Sequence, residues 1–350
     1  MSGFDVIVIG GGPAGCAVGM LLAREGCKIA IAEKPRRGNF CIGETLPPQA
    51  GKILGELGVW EAFRVQGHRA SPGIVSVWGC AEPWATDFLF SPHGNGWHID
   101  RFRFNAFLVE EAVRSGAVFL KDLAIANCME CREGWRIGAL RCRVVVDATG
   151  RRPAGLLGFP RRVVLDRLIA VAGLGESARG GSVSDYTLIE AVDDGWFYSA
   201  LLPCGEYVAA YMTDADLYAQ GCTRSGTFWG DQLAKAPQTK ERIERTPSRL
   251  GLFSAVTSVR EKAARRNWVA VGDAARSHDP LSGLGLSTAL NMARDAAGAV
   301  MRELSGGGGA EEYDRANCEA FAQYRQAHRM YYGMEVRWPQ SKFWKRRRRA

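Results

Sequence analysis

The chain opens on an apolar run, Val6-Ile7-Val8-Ile9, that ends abruptly at Gly10. Short, β-branched and stopped by glycine, it predicts a strand buried on both faces. A helical pattern follows from Pro13, and Cys27 to Ala32 predicts a second strand ending at Glu33. Helices are expected from about Gln49 to Leu57, just after Gly58, and from about Phe102 to Ser115, where Phe104, Phe107, Leu108 and Ala112 share a face. Between them, Gly73 to Phe90 alternates and carries Trp78 and Trp84, which predicts strands of a different sheet. A further buried strand ends at Asp147, before Ala148-Thr149-Gly150. Strands near Leu168–Leu174, Tyr186–Val192, Gly195–Leu202 and Glu206–Met212 then lie side by side in sequence, followed by helices from about Arg224 to Arg245. Such a run predicts an antiparallel sheet inserted into an α/β domain. Asn267 to Val271 returns to the buried-strand pattern, and amphipathic helices close the chain, to about Leu304 and from Glu311 to about Glu335.

Chemistry enters at the first turn. Gly10, Gly12 and Gly15 fit G-x-G-x-x-G: a tight turn, a close approach of backbone to a pyrophosphate, and close helix packing. The helix start aims N–H groups and a positive dipole at phosphates. Glu33 lies 18 residues beyond Gly15, about where a ribose-binding acid belongs. The bland alternative is glycines that only shape a turn; the strand–helix–strand–acid context favours a dinucleotide. A second constellation is Gly272-Asp273, followed by His278-Asp279-Pro280-Leu281-Ser282-Gly283-Leu284-Gly285. Asp273 is placed to bond a sugar-like hydroxyl, and the Gly283–Gly285 N–H groups open a helix. On the inserted sheet, Trp196, Tyr198 and Tyr211 are pocket candidates, although most such aromatics only pack a core. Glu44, without further context, reads as a capping or solvated loop acid. The stripe of Tyr313, Phe321, Tyr324, His328 and Tyr331 or Tyr332 on the late helix reads as packing.

Composition changes the picture little. Hydrophobic content is 47% and charged content 23% over 350 residues, as in ordinary globular proteins. No apolar run approaches the ~20 residues of a membrane span, and the first strand starts with no secretory pattern before it, so cytoplasmic residence is expected. Ten cysteines show no framework, and the lone Cys128-x-x-Cys131 lacks a second pair, so no metal site is expected. The net charge of +8 is local: Lys342, Lys345 and Arg346 to Arg349 carry six positive charges. The nearly neutral body argues against nucleic acid, and the basic end is expected to be solvated and mobile.

These residues together resemble the FAD-dependent monooxygenase superfamily of aromatic hydroxylases, geranylgeranyl reductases and flavin halogenases, over about residues 1 to 304. The resemblance implies a Rossmann-like FAD-binding domain of the glutathione-reductase type (residues 1–72, 98–160 and 255–304). An inserted antiparallel β-sheet substrate domain (73–97 and 161–254) and a C-terminal helical arm with basic tail (311–350) complete the expected α/β architecture. It also implies that Gly10, Gly12, Gly15 and Glu33 hold the ADP part of FAD. Arg101, Glu44, Gly150, Gly272 and Asp273 would contact the cofactor, with Asp273 on the ribityl chain. The Pro280, Gly283, Leu284 and Gly285 backbone would lie against the isoalloxazine.

Closer segments, Gly43-Glu44-Thr45-Leu46-Pro47-Pro48, Gly96 to Arg101, Asp194 to Pro203 and Arg337-Trp338-Pro339 with Phe343-Trp344, resemble one subgroup. Its flavoproteins mature quinone-cofactor amine oxidases and dehydrogenases by oxygenating a tryptophan in a partner polypeptide. The expected function is therefore FAD-dependent hydroxylation of an electron-rich aromatic substrate, a small molecule or a tryptophan in a partner protein. Reduced FAD and O2 would react, with NAD(P)H or a separate flavin reductase as electron source. His278, with Asp279, is the catalytic candidate, as a proton relay. The rivals are halogenation, reduction of prenyl double bonds and a non-catalytic flavin-binding partner protein. Halogenases carry a lysine some way beyond the Gly-Glu loop and a Trp-x-Trp-x-x-Pro sequence. Between Glu44 and Lys121 this chain has only Lys52, and it lacks the tryptophan motif.

Overall fold

The computed structural model describes residues 3–34, 41–121, 128–151, 159–176, 184–224, 227–243, 247 and 249–349. Its centre is a parallel sheet in the order Val118–Lys121, Ile29–Glu33, Gly3–Ile9, Leu140–Asp147 and Trp268–Ala270. Val6 to Ile9 and Val144 to Val146 are fully buried in register with one another, as their unbroken apolar runs require. Helices Pro13–Arg24, Arg101–Arg114 and Gly285–Leu304 cover the sheet. Asp100 caps the second of them, accepting from the N–H groups of Phe102 and Arg103 at 2.9 and 3.0 Å. The expected α/β fold with a flavoprotein-type nucleotide domain is the fold observed.

A second, seven-stranded sheet runs in the order Gly251–Ser254, Leu168–Glu176, Glu206–Asp214, Gly195–Leu201, Thr187–Val192, Gly73–Val77 and Trp84–Asp87. It is antiparallel except where Thr187–Val192 pairs with Gly73–Val77. Its two faces bury different things. One packs Phe197 and Tyr211 under Trp229 and Leu233 of the helix Phe228–Leu233, with Pro237–Arg242 following it. The other packs Trp196 and Met212 against Tyr332, Phe343 and Trp344 from the end of the chain. Within the span expected to be helical, Arg224 to Arg245, lie two short helices, Phe228–Leu233 and Pro237–Arg242, and a further helix, Ala215–Arg224, comes before it; Arg245 lies outside the described residues.

The basic end differs from the sequence expectation. Lys342–Arg349 forms a helix whose Phe343 and Trp344 are fully buried, and whose Arg347 is 5% exposed. Two carboxylates explain why this charged helix can dock: Asp214 takes Arg346 at 2.6 Å and Arg347 at 2.8 Å, and Asp216 takes Arg346 at 2.7 Å. The helix is a lid on the second sheet. Among the described residues no helix is long and apolar enough to cross a membrane.

Candidate functional site

The parallel strands all deliver their loops to one edge, where α/β folds bind ligands. At the first loop, Gly10 has a φ of +115°, and a Cβ there would lie 2.2 Å from the Ala148 oxygen. A Cβ on Gly15 would lie 1.9 Å from the Gly10 oxygen, so helix and turn touch backbone to backbone. Gly12, by contrast, has nothing among the described residues within 4 Å of an added Cβ, and the same holds for Gly150, Gly283 and Gly285. Four glycines from three separate loops thus leave open space along the sheet edge, as an extended dinucleotide needs. The Glu33 carboxylate accepts from the Gly11 N–H, which fixes the acid beside the glycine turn. These features fit FAD.

The loops are tied together by arginines that sequence reasoning missed. Arg260 meets Asp147 at 2.7 Å, with both side chains buried, and also donates to the Ala274 and Pro160 carbonyls. Arg151 meets Asp273 at 3.1 Å and donates to the Val256 and His278 carbonyls. Arg162 donates to the carbonyls of Gly150, Arg151, Asp273 and Ala274. The only local signal was an arginine directly after Asp-Ala-Thr-Gly, which no spacing rule interprets.

Glu44 is neither solvated nor a cap. It is 2% exposed, accepts from the Gly43 N–H at 2.8 Å, and its other carboxyl oxygen has no partner among the described residues. Burial pushes its pKa up to about 7, against the opposing pull of Arg101 and the Gly43 N–H. Arg101 donates to the Ile42 and Gly43 carbonyls at 2.9 and 2.8 Å, holding this loop against the helix start. Next to Glu44, Thr45 shares a 2.6 Å hydrogen bond with the Tyr198 hydroxyl, so the loop reaches the second sheet. Burial raises the Tyr198 phenol, and the Glu44 charge adds to the effect.

Strand alternation separates the pocket candidates. Trp196 and Tyr198 lie on the face that meets Thr45 and the C-terminal helices. Tyr211 pairs with Phe197 on the opposite face, its hydroxyl on the Asp194 carbonyl, and cannot share a pocket with them. That expectation is corrected.

His278 and Asp279 are also placed differently from a relay. The His278 ring is buried and stacks on Tyr324 with 4.1 Å between centroids. Burial, then the Arg276 and Arg151 charges, push its pKa down to about 3, so it stays uncharged near neutral pH. The buried Asp279 carboxylate accepts from Tyr332 at 2.8 Å, contacts His328 at 3.2 Å, and caps the Leu281 N–H at 2.9 Å. Burial works to raise its pKa, but His328 and then Arg347 hold it below the usual range. The proton-relay role does not fit these surroundings. The Tyr324–His328–Tyr332 spacing of four residues was visible as a stripe; its partner, Asp279, was not.

Two family models match the sequence: an FAD binding domain over residues 3–121, and tryptophan halogenase over residues 82–350. The chain belongs to the tryptophan halogenase family. FAD is its cofactor, used reduced and with O2, and the chain is an FAD-dependent oxidoreductase. LodB of Marinomonas mediterranea, assigned as an FAD-dependent oxidoreductase, is 25% identical over 99% of this chain and 97% of its own. Among solved structures, the myxobacterial chondrochloren halogenase CndH superposes with a TM-score of 0.87 at 23% identity, covering 99% of this chain and 86% of that one. The peptidyl tryptophan dihydroxylase QhpG superposes with a TM-score of 0.79 at 22% identity, covering 99% and 79%. At such identities the superpositions speak for the fold. Lys52, the one lysine between Glu44 and Lys121, is exposed on the helix Ala50–Glu56.

Proposed function

We propose that this chain is an FAD-dependent monooxygenase that hydroxylates an electron-rich aromatic ring, an indole side chain of a partner polypeptide being the substrate class. The observation that carries the reading is the site beside Glu44, Thr45, Tyr198 and Trp196: aromatic and acidic, with Lys52, the one lysine between Glu44 and Lys121, turned to solvent. The end-to-end likeness to LodB and the shared fold with a peptidyl tryptophan dihydroxylase support it. FAD, once reduced, would supply an electrophilic oxygen from O2. Gly10, Gly12 and Gly15 would bind its pyrophosphate, Glu33 the adenosine ribose, and Gly150, Gly272 and Asp273 the ribityl side. The Pro280, Gly283, Leu284 and Gly285 backbone would face the flavin ring, its N–H groups stabilising negative charge. Asp279 and His278 position that turn. Glu44, buried and with its pKa raised to about 7, would keep or release a proton there. Trp196 and Tyr198 would line the aromatic pocket.

Family membership favours a second reading, halogenation, and one experiment separates the two. Full-length protein is reconstituted with FAD and reduced, then exposed to O2 with tryptophan-containing peptides in chloride or bromide buffer. Oxygen incorporation from labelled O2 into the indole, with no halogen in the product, is expected. Halogenated product refutes the reading, and so does flavin reoxidation that leaves every peptide unmodified.

A further inference from the structure

One aromatic cluster is built unlike the others. The Phe63–Phe104–Phe107 group, with Trp60 and Trp97 at its edge, and the Phe197–Tyr211–Trp229 group each pack mixed rings around a phenylalanine. Around Tyr332, beside His328 and Phe343, four indoles form a connected chain of ring contacts. Trp78 and Trp344 lie 5.6 and 5.8 Å from its ring, and 5.2 Å from each other, between centroids. Trp196 lies 6.3 Å from Trp78, and Trp338 stacks on Trp344 at 6.0 Å. Such separations leave ring edges in contact. Tyr332 and Trp344 are fully buried, whereas Trp338 and Trp78 are half-buried and reach the surface.

The inner end carries a proton acceptor. The Tyr332 hydroxyl donates to Asp279 Oδ2 at 2.8 Å, and Asp279 directly precedes the Pro280–Ser282 turn. A phenol bonded to a carboxylate loses an electron more readily, because its proton has somewhere to go. The indole N–H groups are also committed: Trp344 to the Val192 carbonyl at 3.0 Å and Trp78 to the Tyr331 carbonyl at 2.8 Å.

We propose that Tyr332, Trp344, Trp78 and Trp338 form an electron relay that drains oxidising equivalents from the flavin-facing turn to the surface, where a thiol consumes them. The proposal rests on the flavin placement given above. An oxygen-derived oxidant left unused by substrate takes one electron from Tyr332, and the phenolic proton moves to Asp279. Trp344 or Trp78 returns one electron to the phenoxyl oxygen, Asp279 returns the proton, and the hole sits on an indole as a radical cation. Trp338 passes an electron inward from the surface. A thiolate then supplies it with one electron and becomes a thiyl radical. Two passes, with two protons taken from solvent, reduce a two-electron oxidant, and the two thiyl radicals couple to a disulfide.

The test uses light instead of turnover. In the full chain loaded with FAD, a short blue pulse makes the bound oxidised flavin a one-electron oxidant, and transient absorption follows the protein radicals. A tryptophanyl radical that decays faster as glutathione is added is expected. Tyr332→Phe should lower its yield at least tenfold with FAD still bound. Because that variant also loses the hydrogen bonds of the Tyr332 hydroxyl to Asp279 and from the Trp196 indole N–H, Trp338→Phe at the half-buried end is the second arm, and should abolish the glutathione dependence while inner radicals still form. Unchanged yield in Tyr332→Phe, or unchanged glutathione dependence in Trp338→Phe, with flavin bound, overturns the relay alone. Failure to bind FAD, seen directly in the visible spectrum, overturns the flavin placement and the relay with it.

Discussion

Replacing Glu44 with glutamine should stabilise the apoprotein, and by an amount that depends on pH. The wild-type carboxyl is buried and one of its oxygens has no partner among the described residues, so ionising it is costly. Its pKa moves from 4.5 in the open chain to about 7 in the fold. A raised folded value means the favourable contribution is whole below the unfolded value and is lost as pH rises through the folded one. At ~1.36 kcal/mol per pH unit, ionised Glu44 costs about 3 kcal/mol at pH 8. At pH 5 about three-quarters of that cost is absent. Glutamine never ionises, so any fixed effect of the new amide cancels when the two pH values are compared. Urea unfolding of Glu44→Gln and wild type at each pH measures the difference directly. The advantage of the variant should grow by about 2 kcal/mol or more between pH 5 and pH 8. An equal difference at both values would refute the account, because it would mean that Glu44 is hydrated or otherwise compensated in the fold.

Other outcomes follow from neighbouring contacts. Gly15→Ala should abolish FAD binding, since its Cβ would sit 1.9 Å from the Gly10 oxygen; flavin titration followed by fluorescence checks it. Trp344→Ala should cost about 3–5 kcal/mol by leaving a cavity, and should expose the segment before Lys342 to limited proteolysis. Asp279→Ala should cost a similar ~3–5 kcal/mol, because Tyr332 and His328 lose a buried charged partner; thermal unfolding reads it. His68 and His98, both near 4, and His278, near 3, are depressed by burial from 6.5. Their contribution is present above pH 6.5 and is lost as pH falls toward 4, so stability should decline across that window. Ring proton resonances that titrate near 6.5 in the folded protein would contradict this.

Local pattern carried most of the nucleotide domain. Val6–Ile9, the glycine turn and Glu33 are contiguous, and their spacing encodes a strand, a turn and a helix without help from the rest of the chain. The second sheet was legible as strands, because alternation survives in sequence, but not as faces. Trp196, Tyr198 and Tyr211 look alike until pairing register sets Tyr211 opposite Phe197 and sends it to the other side. Charge was the least legible. Six basic residues in the last nine read as a solvated end, since their partners, Asp214 and Asp216, lie more than a hundred positions earlier. Likewise no rule of spacing links Arg260 to Asp147 or Tyr332 to Asp279. Long-range ion pairs and buried carboxylates are decided by the fold, and sequence patterns see only neighbours.

The docked C-terminal helix also has a consequence for synthesis. Arg347 follows its partner Asp214 by 133 residues. At roughly 5–20 residues per second, a ribosome needs roughly 7–27 s to cover that distance. During this interval the inner face of the second sheet, with Trp196 and Met212, has no lid. A nascent chain at that stage presents an aromatic surface of the kind that holding chaperones bind. Pausing translation between these two points should lengthen chaperone association, whereas the same pause placed earlier in the chain should not.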